Sequence, residues 1–144
     1  MKIDEIQPGL ELGPTEWREI DQERVNAFAD VTDDPQWIHV DPVRAAEGPF
    51  GTTIAHGFLT LSLIVPAAYA LLPIDDASAA INYGLNKVRF PAPVPIGSRT
   101  RTRLRIDNVA ELDGGVQVTI VATVEREGGD KPVCAAELLF RYYR

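Results

Sequence analysis

The order of apolar and polar residues divides the chain near residue 80 into a half with helical periodicity and a half that alternates. Val25, Phe28, Ala29 and Val31 recur at helical spacing, and Asp21 is placed to cap the helix they predict. Pro35 disfavours the α region at Asp34 and is expected to end that helix, leaving a loop from Asp34 to Val40. Asp41-Pro42 offers a cap followed by proline at the first helical position, which predicts a short helix over 42–47 closed by Gly48-Pro49. A second loop runs from Gly51 toward His56. From Gly57 the run Phe58-Leu59-Thr60-Leu61-Ser62-Leu63-Ile64-Val65 is apolar almost all round, the pattern of a central helix buried on every side. Pro66 lacks the N–H that a helix interior uses, so it kinks this helix or ends it early.

Four later segments, roughly 79–90, 97–110, 115–127 and 132–143, read as antiparallel strands separated by turn residues. In the second, Thr100, Thr102, Leu104 and Ile106 alternate with Arg99, Arg101, Arg103 and Arg105, so one face is apolar or neutral and the other is an arginine stripe. In the third, Val118, Ile120, Ala122 and Val124 take the inward face after a tight turn at Gly114-Gly115. One long helix against a curled antiparallel sheet is an α+β design. With no repeat, low-complexity run or linker, it is expected to occupy one domain over 1–144.

Composition narrows the function classes. A chain of 144 residues with 45% hydrophobic content supports a single core. A formal charge of −7 argues against unspecific nucleic-acid binding, which needs clustered basic residues. The longest apolar stretch, Phe58 to Pro73, is broken by Thr60, Ser62 and Pro66 and is shorter than the roughly 20 residues that cross a bilayer. The first residues turn acidic without the apolar block of a secretory signal, so no membrane association and a cytoplasmic location are expected. Cys134, the one cysteine, lies in an apolar strand and reads as an inert buried thiol. Two histidines and one cysteine make no structural zinc cluster, and metal-free chemistry is the expectation.

Candidate chemistry sits in Thr32-Asp33-Asp34-Pro35-Gln36-Trp37-Ile38-His39, where a carboxylate and an imidazole five residues apart can converge across a turn on one water. Gly57 opens the apolar helix, so its backbone N–H faces outward with the helix dipole behind it, and glycine lets a carbonyl approach closely. This is a plausible oxyanion site. His56 reads as a structural cap or packing residue.

At these residues the chain resembles the MaoC-like hydratases, whose motif has the form Asp-x-Asn-Pro-x-His with a downstream His-Gly; Asp34, His39, His56 and Gly57 match it. The similarity extends to Asp41-Pro42 with Ala45-Ala46, to Asn82-Tyr83-Gly84 and to Arg89-Phe90-Pro91-Ala92-Pro93-Val94. Departures are Gln36 for asparagine, Trp37 for proline, Pro35 at the variable position, and Asp33 where glycine is common. Asp33 competes for the catalytic role, but the spacing to His39 favours Asp34.

The resemblance implies a hot-dog fold, a curled sheet wrapped around one long helix, and a homodimer. It implies (R)-specific, reversible hydration of trans-2-enoyl-CoA, or of an acyl-carrier-protein thioester, without a cofactor beyond the coenzyme A of the substrate. Asp34 would be general base and acid, His39 would orient the water, and the Gly57 amide would hold the thioester oxygen. Gln36 would brace the loop, Trp37 and Phe58 would contact the acyl group, and Lys87 and Arg89 would meet the coenzyme phosphates. The arginine stripe reads as a solvated or salt-bridged face, less readily as a phosphate site. A hot-dog thioesterase and a non-catalytic acyl-thioester-binding subunit remain alternatives. A dinucleotide-binding dehydrogenase and a serine hydrolase are disfavoured, since Gly-x-Gly-x-x-Gly is absent and Ser62 lacks a glycine-flanked elbow.

Overall fold

In the computed structural model, which describes residues 1–144, the chain starts with a 3₁₀ turn (Ile3–Glu5) and two short strands, β1 (Glu11–Leu12) and β2 (Arg18–Glu19). Helix α1 (Gln22–Val31) begins at Asp21, whose carboxylate accepts the Arg24 N–H at 2.9 Å as expected of a cap. It ends earlier than Pro35 requires. Asp33 adopts the left-handed conformation (φ 56°), and the Asp34 N–H reaches back to the Ala29 carbonyl at 2.9 Å. The expected loop from Asp34 to Val40 holds a helical turn, α2 (Trp37–Val40), before α3 (Pro42–Ala46) starts on an Asp41 cap.

The central helix is two segments, α4 (Gly57–Ser62) and α5 (Ile64–Leu71), interrupted at Leu63. Pro66 explains the position of the break: it has no N–H for the Ser62 carbonyl, and its ring crowds that same group, so the fault falls one turn before the proline. Nor is the helix buried on every side. Leu59, Ile64, Ala67 and Ala68 face the core, whereas Phe58 is 70% and Tyr69 52% exposed.

The four anticipated strands are β3 (Ala79–Arg89), β4 (Arg99–Leu112), β5 (Gly115–Arg126) and β6 (Cys134–Tyr143), all antiparallel in the order β1-β4-β5-β6-β3. β2 also pairs with β4, through Arg18↔Thr100, while β1 joins its other half through Glu11↔Arg105. The alternation in β4 and β5 falls as read: Leu104, Ile106, Val118, Ile120 and Ala122 are buried on one face. They meet Leu138 and Phe140 of β6 and Ile3, Ile6, Ile20 and Val25 from the N-terminal third in one core. Each fully buried side chain of this size contributes roughly 1.5–3 kcal/mol. Gly115 closes the β4–β5 turn where any side chain would collide with the Tyr142 carbonyl.

On the outer face the arginines are paired. Arg99 bonds Glu127, Arg101 and Arg103 share Glu125, and Arg105 meets Asp107 at 2.9 Å. Partial burial alone would raise the Glu125 carboxyl, but the two guanidinium groups outweigh it and hold it below the usual carboxylate range. Cys134 is fully buried, and burial pushes its thiol up to about 11. β3 pairs only with β6 and leaves Ile81, Tyr83 and Leu85 half exposed along the sheet edge. No helix is long and apolar enough to cross a membrane.

Candidate active site

The site is built where the end of α1, the turn of α2 and the start of α4 come together. The left-handed Asp33 turns the chain, so Asp34 leaves α1 with a half-exposed carboxylate. This separates the two adjacent acids: Asp33 terminates a helix, and Asp34 lies with the imidazoles. One side-chain donor atom from each of Asp34, His39 and His56 lies within 4.8 Å of the others.

His39 occupies the third position of α2 and is buried. Its Nδ1 is 2.7 Å from the Ile54 carbonyl; a carbonyl only accepts, so Nδ1 carries the proton and Nε2 keeps a free lone pair. Burial lowers the His39 pKa below the ordinary imidazole value; the Ile54 bond opposes this, His56 lowers it further, and Asp34 raises it. The backbone of His39 is held from α1, since the Gln22 amide donates to its carbonyl at 2.7 Å while accepting the Thr53 hydroxyl at 2.6 Å.

Two imidazoles and a carboxylate invite comparison with a metal centre. The His39 and His56 rings are stacked, with centroids 3.8 Å apart and planes 23° apart, and in-plane lone pairs of two nearly parallel rings are poorly disposed to converge on one ion. His39 Nδ1 and His56 Nε2 are also engaged by carbonyls, the latter by that of Asp34 at 3.0 Å. With an Asp34 carboxylate oxygen and an imidazole nitrogen within 4.8 Å of each other, the arrangement suits one shared water.

Gly57 is the first residue of α4, where a helix N–H has no partner within its own helix. A side chain at this position would press on the Phe90 ring at 3.1 Å, so space and not backbone conformation calls for glycine. Because α4 is a six-residue segment, its dipole is weaker than that of the long helix expected from sequence. Gly57, Thr60, Phe50, Ile54 and Phe90 line a groove of about 330 Å³. Thr60 also lines a second groove of about 580 Å³, bounded by Trp17, Leu63, Pro66, Ala67 and Val124.

The other candidates are dispersed. The exposed Gln36 side chain makes no capping bond; the Gln36 main-chain carbonyl receives the His39 and Val40 N–H groups instead. Trp37 is absent from both grooves, its ring lying under the Arg44 guanidinium at 4.3 Å and against Gly48. Phe58 projects from the first turn of α4. Lys87 and Arg89 are exposed on β3, Arg89 next to Phe90. Gln22, Thr53 and the Ile54 carbonyl hold His39, yet no motif marks them in the sequence.

A family model described as the MaoC like domain matches residues 5–128. The chain belongs to the MaoC-like dehydratase family. Within it, 3-hydroxyacyl-thioester dehydratase Z of Mycobacterium tuberculosis is 56% identical over 135 residues, which are 93% of this chain and 89% of the relative. Among solved structures, a monoamine oxidase regulatory protein from Archaeoglobus fulgius is 25% identical, with a TM-score of 0.87 over 100% of this chain and 95% of its own. An (R)-hydratase from A. caviae involved in PHA biosynthesis shares the fold at 23% identity, with a TM-score of 0.79 over 94% and 96% of the two chains. This MaoC-like chain therefore has the hot-dog fold and is an enzyme of the dehydratase and hydratase class.

Proposed function

We propose that this enzyme adds water reversibly and (R)-specifically across trans-2-enoyl-CoA, giving (3R)-hydroxyacyl-CoA. The observation that carries the reading is the His39 Nδ1–H bond to Ile54, which leaves Nε2 as an acceptor on a ring that has a nitrogen within 4.8 Å of an Asp34 carboxylate oxygen. A water donating one hydrogen to each directs its oxygen lone pair outward, at the β-carbon of the substrate. Asp34 takes one proton as the C–O bond forms and returns a proton to the α-carbon. The Gly57 N–H donates to the thioester oxygen while it carries the enolate charge.

In this reading the groove of about 330 Å³ at Gly57 holds the enoyl thioester, and the acyl chain passes Thr60 into the larger groove along α4 and α5, whose Leu63, Ala67, Leu71 and Val124 suit hydrocarbon. Lys87 and Arg89 are the cations offered to the coenzyme phosphates, since the arginine stripe is taken up by carboxylates. The enzyme acts in the cytoplasm as a homodimer joined along β3, an edge whose apolar side chains lack a partner within the chain.

The test is the absorbance of the conjugated enoyl thioester with crotonyl-CoA and longer substrates, coupled to an (R)-specific dehydrogenase and run beside a free-thiol assay. Loss of the band with (3R) product and no thiol is the expected result. Thiol release instead would make the enzyme a thioesterase and sink the reading.

A further inference from the structure

One residue adjoins all three parts of the proposed machinery without itself reacting. His56 is 3% exposed. Its ring stacks on His39, its Nε2 donates to the Asp34 main-chain carbonyl at 3.0 Å, and its own peptide carbon bonds the Gly57 nitrogen. Phe28 of α1 packs its ring 5.0 Å away, tilted by 56°. The His56 side chain does not cap α4, one of the two roles the sequence offered it, and its buried Nδ1 has no partner.

We propose that His56 is a positioning residue for the hydration, aiming the Asp34 carboxylate through the Asp34 carbonyl and fixing the plane and neutral state of His39 through the stacked rings. The inference rests on the hydratase reading of the site. Asp34 needs such a brace: it lies between a left-handed residue and a proline, its carboxylate is half exposed, and its carbonyl takes no other hydrogen bond. A general base misplaced by about 1 Å can lose a hundredfold in rate, so a tether one peptide from the carboxylate acts on turnover. His39 needs its neutral form to accept a hydrogen bond from the water that Asp34 deprotonates. The titratable groups facing it are Asp34 and His56; α1 offers neutral Gln22, and the segment before α4 offers the Ile54 carbonyl. A cation on His39 would lie against the face of a second imidazole in a buried stack. The unpaired Nδ1 of His56 fits this role, because a tautomer donating to Asp34 leaves that nitrogen bare.

Two variants separate the tether from the stack. His56→Phe keeps a ring over His39 and removes the donor; His56→Gln keeps a donor near the position of Nε2 and removes the ring. Circular dichroism and thermal melting establish that each is folded. The expected result is a kcat of His56→Phe reduced about tenfold or more with KM within about twofold, and recovery of most of that loss in His56→Gln. The chain has two histidines, so each variant leaves His39 as the sole imidazole, and its ¹⁵N titration can be read without ambiguity. Its midpoint should rise in both variants relative to the parent. The proposal is overturned if kcat, KM and the His39 titration of the folded variants match the parent, or if any loss of kcat equals the fraction unfolded while the titration is unchanged. Should His56→Phe not fold, His56→Gln decides the matter by the titration. A parent enzyme that hydrates nothing would overturn the hydratase reading alone, because the titration does not depend on turnover.

Discussion

Asp34 and His39 carry the heaviest demand at the scale of single residues. Asp34→Asn and His39→Gln should each lower kcat for crotonyl-CoA hydration by at least about a hundredfold while circular dichroism stays unchanged; retained activity in both would end the two-residue scheme. The lowered pKa of His39 also sets a pH signature. Above about pH 6.5 the imidazole is neutral in both folded and unfolded chains and adds no pH dependence. As pH falls below that value the unfolded chain takes up the proton first, so this residue makes stability decline toward the folded pKa. Activity should persist through that window, with the acid limb of kcat/KM below the ordinary imidazole range. At Asp33, glycine relieves a left-handed strain of about 1 kcal/mol. Asp33→Gly should accordingly raise the urea midpoint without loss of turnover, whereas a β-branched residue there should lower it.

Among elements, what could be read in advance depended on length. β4 alternates from Arg99 to Ile106 and β5 from Val118 to Val124, long enough that both their inward faces and the arginine stripe were legible. β1 and β2 are two residues each and have no period to detect; their place was set by the unpaired edge of β4. The turn of α2 was hidden because Pro35 and Gln36 suggest a loop and four residues cannot show helical spacing. Pro66 announced a fault in the central helix, but only the crowding of the Ser62 carbonyl places it at Leu63. At the candidate site, the motif pointed to Asp34, His39 and Gly57, while the Gln22 and Thr53 contacts behind His39 were invisible because they join distant segments. Pro66→Ala supplies the missing N–H to Ser62 and should join α4 to α5. The groove at Leu63 would then narrow, so kcat/KM should fall for long acyl chains more than for crotonyl-CoA. Equal effects at every chain length would place the acyl chain elsewhere.

For the molecule as a whole, the β3 edge is an open apolar feature, with Tyr69 of α5 bordering the first residues of that strand. Leu85→Lys should reduce the sedimentation mass from two chains to one at micromolar concentration, and an unchanged mass would remove β3 from the interface. The state of Cys134 gives a practical lever on the same question. Its thiol, sealed in the core and protonated at neutral pH, is invisible to disulfide reagents, so the coenzyme is the one sulfur that a release assay would register. A cysteine introduced in place of Tyr83 would be the sole reactive sulfur of the folded chain. Mild oxidation would then covalently record a pairing of β3 edges whose twofold axis passes close to position 83, since only there do two copies of one residue come within disulfide reach.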